Sequence, residues 1–454
     1  MTRARIGIGF GLAVAALLAG APAHSETLDE AMAKAYATNP TLLGERARLR
    51  ATDEGVSQAL AGWRPTVTLT GSYGEQRQTT DSPGTTPTQW RQPRTGAIQL
   101  NQPLYRGGRT VAGTEQAEAN VLAGRARLSN VEQTLLLNVA TAYLNVVQAQ
   151  AVLELNRNNE QRLGRELQAA RDRFNVGEIT RTDVSQAEAR LSGATADRIQ
   201  SEGDLASARA VYQTQVGDLP DTVVQPPALA NMPSNVDEAI AQAVGSNPNV
   251  LQADYTEQAS KANIDVVRGA LLPTLSLNGT AQHEDDTLTQ ANRWRNTYTA
   301  LIQLNVPIYE AGAVWSQLRA AYESDRLNQK LLDQARRDAR ESATRAWDAW
   351  KTAQARITSL QSQIVANESA LDGVRQEVLV GARTVLDLLN AEQELLNSEV
   401  ALTRSQHDAA IAAYQVRTAV GTLSAAALSL PVDMYDPTVN YKGVRNKWIG
   451  VGKE

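Results

Sequence analysis

The chain has 454 residues, with 44 Lys and Arg against 49 Asp and Glu, no Cys and only two Phe. The missing thiol excludes disulfides, cysteine nucleophiles, Cys-based metal sites and an N-terminal lipid on cysteine, and a net charge of −5 argues against nucleic acid as a partner. Much Ala, Gln, Leu, Arg and Glu with so few aromatic residues points to long helices and away from a globular aromatic core.

Arg3 and Arg5, the apolar run from Ile6 to Leu18 and Ala21-Pro22-Ala23 read as an export signal, residues 1–23, with cleavage expected after Ala23. That run is too short to span a bilayer. No later apolar run approaches the length of a spanning helix, so the mature chain is expected to be either soluble outside the cytoplasm or a β-barrel, whose signal is weak per segment.

Thr41 to Gly62 has a helical pattern, and Pro65 stops it. Val67, Leu69, Gly71 and Tyr73 then alternate with Thr66, Thr68, Thr70 and Ser72, the period of a strand. After a polar stretch rich in Pro, Thr and Gly, Ile98, Leu100 and Leu104 resume the alternation against Gln99 and Asn101. Strands are expected at Pro65–Gln76 and Thr95–Tyr105, joined by a polar loop, Gln78–Arg94. One apolar and one small polar face suit lipid outside and water inside. Tyr105-Arg106-Gly107-Gly108-Arg109 lacks the pattern of a phosphate loop and reads as a flexible junction.

From Arg109 to Arg171 the chain is helical in character and free of Pro. A seven-residue spacing links Val121, Leu128, Leu135, Ala142 and Ala149, with Val139, Val146 and Leu153 beside it, a coiled-coil seam. Such a helix would be roughly 95 Å long. Gly177 then marks a helix end, and Thr180-x-x-Asp183 resembles a capping box for the next helix, to Val216. This helix and Thr41 to Gly62, end to end, would nearly match the long one. Asp218 to Ser234 and Ser424 to Glu454 lack periodicity and read as packing segments.

The same text then recurs. Leu28-Asp29-Glu30-Ala31 through Asn39-Pro40 returns 208 residues later as Val236-Asp237-Glu238-Ala239 through Asn247-Pro248. At an offset of 204, Val176-Gly177-x-x-Thr180-x-x-Asp183 returns as Val380-Gly381-x-x-Thr384-x-x-Asp387. Solenoid repeats are far shorter, so this is a duplicated half. Its strands are expected at Pro273–His283 and Asn296–Tyr309, and its helices from Ala313 to about Glu377 and from Asp387 to Val420. Four strands cannot close a barrel, so oligomerisation is expected.

Enzymatic chemistry is not expected. His24, His283 and His407 are scattered, and no Ser sits in a nucleophile elbow. His283-Glu284-Asp285-Asp286 is dense enough in carboxylates for a divalent cation but reads as a solvated loop. Asp183 and Asp387, in the first turns of helices, suit the helix dipole. No cofactor or metal is expected.

Phe174-Asn175-Val176-Gly177 with Thr182-Asp183-Val184, Gly381-x-Arg383-Thr384-x-x-Asp387-x-Leu389 and Val420-Gly421-Thr422-Leu423 give the chain a resemblance to the TolC family of outer-membrane efflux and type I secretion channels. The resemblance implies a mostly α fold with a β-barrel portion: duplicated halves 24–220 and 235–423, a linker 221–234 and an equatorial segment 424–454. A homotrimer would close a 12-stranded barrel in outer-membrane lipid, continued by a 12-helix periplasmic tunnel. Its tips, Val176, Gly177, Thr180, Val380, Gly381 and Thr384, would meet a periplasmic adaptor and an inner-membrane transporter. Thr182, Asp183, Arg383, Asp387 and Asn390 match gate positions, with Arg383 expected to pair with Asp183 or its neighbours on an adjacent hairpin. Two positions depart from the family pattern: Val378 stands where a tyrosine can occur and Asn390 where a second aspartate can. A soluble periplasmic coiled-coil scaffold or adaptor is the competing expectation.

Overall fold

The structure, a computed structural model, describes residues 26–451 apart from 82, 86, 87, 221 and 288–292; the expected export signal, residues 1–23, lies outside the described residues. The first half runs α1 (Leu28–Thr38), α2 (Pro40–Leu60), a 3-10 turn (Ala61–Trp63), β1 (Thr66–Tyr73), β2 (Gln76–Thr79), β3 (Thr88–Arg91), β4 (Arg94–Arg106), α3 (Arg109–Asn175) and α4 (Arg181–Val216). The second runs α5 (Val236–Ser246), α6 (Pro248–Arg268), a 3-10 turn (Gly269–Leu271), β5 (Thr274–Asp285), β6 (Trp294–Asn305), α7 (Ala313–Leu379) and α8 (Val385–Ala419), and α9 (Thr438–Val444) follows.

The repeated Asn-Pro is a joint. Asn39 ends α1 and caps α2, where Pro40 takes the first position because its missing N–H has no partner to lose there. The Asn39 carboxamide accepts from Thr41 N–H (2.9 Å) and donates to the carbonyl of Gln215 at the end of α4 (3.1 Å). Asn247 does the same for Asn249 and Ala419 of α8, both at 2.9 Å. Thus α4 ends where α2 begins, and the pair lies along α3 as expected. α3 and α7 have 67 residues each, about 100 Å of helix.

The heptad seam is buried: Val121, Leu128, Leu135 and Ala142, with Val139, Val146 and Leu153 beside them. One 18-residue window of α3 reaches a mean hydropathy of 1.3, enough by length and composition to cross a membrane. Its apolarity has another use, because Leu136, Val139, Tyr143 and Val146 pack with α1, the end of α4 and residues 423–430 in the main core. The buried Tyr143 hydroxyl accepts from Val224 N–H (3.1 Å) and lies 2.8 Å from the carbonyl of Glu26, fastening the linker to α3.

Strands β1, β4, β5 and β6 form one antiparallel sheet in that order, with β1 and β6 as its edges. Paired residues share a face. Val67 pairs with Leu100 and Leu69 with Ile98; Ile98 pairs with Ala281, Leu277 with Ile302 and Ala281 with Tyr298. The other face carries Thr68 against Gln99, Asn101 against Asn278 and Thr280 against Thr299, with Leu301 its one large apolar residue among these strands. A bulge beside Pro103 slips the register so that Tyr105 pairs with Leu275 on the apolar face.

Several expectations need correction. The loop Gln78–Arg94 contains most of a second hairpin, β2 with β3. β6 stops at Asn305 and not at Tyr309, since Pro307 has no N–H for a ladder. His283 to Asp285 belong to β5 and not to a loop, and alternation sends Glu284 to the face opposite His283 and Asp285. His283 Nδ1 meets Asn296 (2.7 Å), Glu284 pairs with Arg295 (2.6 Å) and Asp286 accepts from Gln92 N–H (2.7 Å), so the four do not converge on a cation. Nor is the Gly107-Gly108 junction loose: Gly107, at φ +65°, lies where an added Cβ would overlap the carbonyl of Gly269. The two halves cross backbone to backbone there.

Candidate functional site: the helical hairpin tips

The tips are built identically. Val176 ends α3, and Gly177 takes the left-handed conformation at φ +80°. Gly177 N–H donates to the carbonyl of Phe174 (3.0 Å) and Glu178 N–H to that of Arg173 (2.9 Å), a Schellman turn that satisfies two otherwise orphaned carbonyls. In the second tip Gly381, at φ +76°, and Ala382 donate to Val378 (3.1 Å) and Glu377 (2.9 Å). Thr180 then caps α4 and Thr384 caps α8. Each threonine hydroxyl accepts from the aspartate N–H three residues on, at 3.3 Å for Asp183 and 3.2 Å for Asp387. Each aspartate returns one carboxylate oxygen to the threonine N–H, at 2.9 and 3.0 Å. The Thr384 hydroxyl also donates to that Asp387 oxygen (2.8 Å), and this bond first, then the one from the Thr384 N–H, holds the Asp387 carboxyl below its usual range, with the Arg383 charge adding to them. The capping role expected of both aspartates is therefore realised, with one oxygen of each still available.

Within one chain each gate candidate has a local setting. Arg383 Nε lies 2.6 Å from Glu377 Oε2 on its own hairpin. Both residues flank the same tight turn, so their encounter costs little chain entropy. Thr182 is exposed on the first turn of α4. Asn390, expected as a lost ring of charge, accepts from Arg190 Nη2 at 2.7 Å and so ties α8 to α4 across the hairpins. Leu389 reinforces that tie by packing among Leu163, Leu167 and Ala187 of the first hairpin. Val378 lines a pocket of about 240 Å³ between the hairpins, with Glu166, Arg173, Arg375 and Leu388. Val176 and Val380 project from the tips, 72% and 80% exposed.

Sequence reading missed Glu392. It is 3% exposed, with Arg375 3.5 Å from one carboxylate oxygen and no hydrogen-bond partner on the other. Burial pushes its carboxyl up, and the Glu166 charge adds to this against Arg162 and Arg375. The signal was present: Leu388, Leu389, Leu395 and Leu396 form one buried stripe of α8, and Glu392 lies inside it.

A long two-layered helical body with a two-faced sheet at one end and capped tips at the other matches known proteins. The family described as outer membrane efflux protein matches residues 31–214 and again 239–422, in register with the duplication. The outer membrane efflux protein BepC of Brucella suis biovar 1 (strain 1330) is 36% identical over 436 residues, 96% of this chain and 94% of that protein. The outer membrane protein TolC of Vibrio cholerae is 25% identical over 413 residues, 88% of this chain and 92% of its own length. The crystal structure of the Campylobacter jejuni CmeC outer membrane channel superposes with a TM-score of 0.78 at 15% identity, covering 92% of this chain and 89% of that one. With its halves, sheet and tips all accounted for, the chain belongs to the outer membrane efflux protein family, the TolC-like channels of the outer membrane.

Proposed function

We propose that this chain is the outer-membrane conduit of a tripartite efflux or type I secretion assembly, working as a homotrimer that is gated at its periplasmic end. The observation that carries it is the sheet. Val67, Leu69, Tyr298, Ile302 and Leu304 on one face are more than half exposed, which a soluble scaffold would leave in water, whereas lipid covers such a face. The opposite face is Thr- and Asn-rich, as a wet lumen needs. β1 and β6 each leave one ladder of backbone groups unpaired, untenable in a bilayer unless β1 of one copy pairs with β6 of the next. Three copies make twelve strands, and the four helical columns of each copy make twelve helices. The conduit is passive. Val176 and Val380, held out by Gly177, Gly381, Thr180 and Thr384, are the contacts offered to an adaptor and an inner-membrane transporter. Thr182, Asp183, Arg383, Asp387 and Asn390 surround the constriction.

The test is covalent. In the chain β1 and β6 lie three strand spacings apart, about 14 Å, too far for a disulfide. Cysteines stepped along β1 at Thr66, Thr68, Thr70 and Ser72, each with one at Thr299, should therefore oxidise only between copies, at the register that barrel stagger sets, and give a closed covalent trimer there. A product that remains monomeric, or stops at dimer, at every step overturns the reading.

A further inference from the structure

Beyond the main core the chain climbs α2. Tyr435 N–H donates to Tyr36 Oη at 3.2 Å, and the Arg46 guanidinium lies 4.5 and 5.0 Å from the Tyr36 and Tyr435 rings. Higher up, Asn440 Nδ2 donates to Asp53 Oδ2 (2.7 Å). The carbonyl of Lys447 then accepts from Ser57 Oγ (3.1 Å) and Arg64 Nη1 (2.8 Å), and the Arg64 guanidinium lies 5.0 Å from the Trp448 ring. On the α3 side Glu118 accepts from Tyr441 Oη (3.2 Å) and Arg445 Nη2 (2.8 Å). The anchors Arg46, Asp53, Ser57 and Arg64 follow one another toward the sheet over roughly 27 Å of chain. Trp448 is thus held at Arg64, which precedes Val67, the start of the apolar face of β1, by three residues.

From here polar pinning stops. Trp448, Ile449 and Val451 are 65%, 89% and 98% exposed. A segment so firmly tied up to Lys447 and so apolar immediately beyond it needs a cover that none of the described residues supplies. Trp63, Tyr105 and Tyr309 are also exposed near this end of the sheet. Aromatic side chains beside Arg64 and Lys447 at the lower margin of an apolar face make the pattern of a membrane–water boundary.

We propose that residues 445–451 form a strap that seats Trp448, Ile449 and Val451 in the periplasm-facing leaflet of the bilayer and so fixes the height of the barrel in the membrane. This rests on the barrel reading above. The strap adds an aromatic residue to the exposed Trp63, Tyr105 and Tyr309, and the seating of Trp448 on Arg64, three residues before Val67 of the apolar face, selects lipid over a second copy of the chain.

Absence of native cysteine makes the test direct. Ile449→Cys, labelled with an environment-sensitive fluorophore, is reconstituted as the full chain in phospholipid nanodiscs containing lipid brominated near the headgroup. Ile302→Cys reports the barrel face and Val176→Cys the distant tip. The expected result is loss of most emission at 449 and at 302, with none at 176. Quenching at 302 without quenching at 449 overturns the strap while leaving the barrel intact. Crosslinking of position 449 to a second copy would then identify a neighbouring chain as its cover. Failure at 302 overturns the barrel reading and the strap with it.

Discussion

Glu392 sits where a leucine would continue the stripe of α8, facing Arg162 and Glu166 of α3 and Arg375 of α7. Its carboxyl titrates above the ordinary 4.5 because burial opposes charge. A raised carboxyl binds its proton more tightly in the folded protein, so its contribution is most favourable below pH 4.5 and declines as pH rises through the raised value. We expect the protection of tip amides, measured relative to their intrinsic exchange rates, to fall across that window, and Glu392→Gln to raise protection at neutral pH and flatten the dependence. An unchanged profile would show that the group is already relieved by water. Asp387 has two separable duties, capping and charge. Asp387→Asn keeps a side-chain acceptor for the cap and removes the charge, whereas Asp387→Ala removes both. Planar-bilayer reversal potentials should lose cation selectivity in both variants, because like charges around a narrow opening raise local cation concentration. Proteolysis at Gly381 should increase only in the alanine variant. Full selectivity in both would confine Asp387 to capping.

At the scale of elements, helices and strands were legible because each pattern repeats within a few residues. The heptad from Val121 to Ala142 is buried along its length, and Thr180-x-x-Asp183 and Thr384-x-x-Asp387 are capping boxes in fact. The short helices α1 and α5 were not read as helices, although Asn-Pro closes each of them; the cap needs the carbonyls of Gln215 and Ala419, which no local pattern reveals. The bulge at Pro103 was equally hidden, since it shows only against β5. Strand faces lead to the sharpest prediction of this scale. Ile302→Arg on the apolar face should cost roughly 2–4 kcal/mol at mid-bilayer, while Thr68→Arg on the opposite face should cost little. Heat-resistance of the assembled oligomer on gels reads both, and equal losses would refute the assignment of faces.

For the whole molecule, the strands and the tips lie at opposite ends of helices about 100 Å long, so one label at each end reads the orientation of the channel. A cysteine at Pro83, between β2 and β3, should be labelled by an impermeant maleimide on intact cells, and one at Glu178, in the first tip, only after the outer membrane is breached. The reverse pattern would invert the topology. By itself the sequence determined the duplication, the kinds of element, the two-faced strands and the capped tips, because periodicity, capping and turn chemistry act over three to seven residues. Tertiary structure alone decided that Arg383 meets Glu377, that Arg190 reaches Asn390 and that Gly107 crosses Gly269. It also decided that residues 438–448 climb α2, where Ser57 and Lys447 meet although 390 positions separate them. An arginine can pair with any carboxylate its long side chain reaches, and a backbone crossing has no local signature. Which partners come within reach is set only when distant segments are packed together.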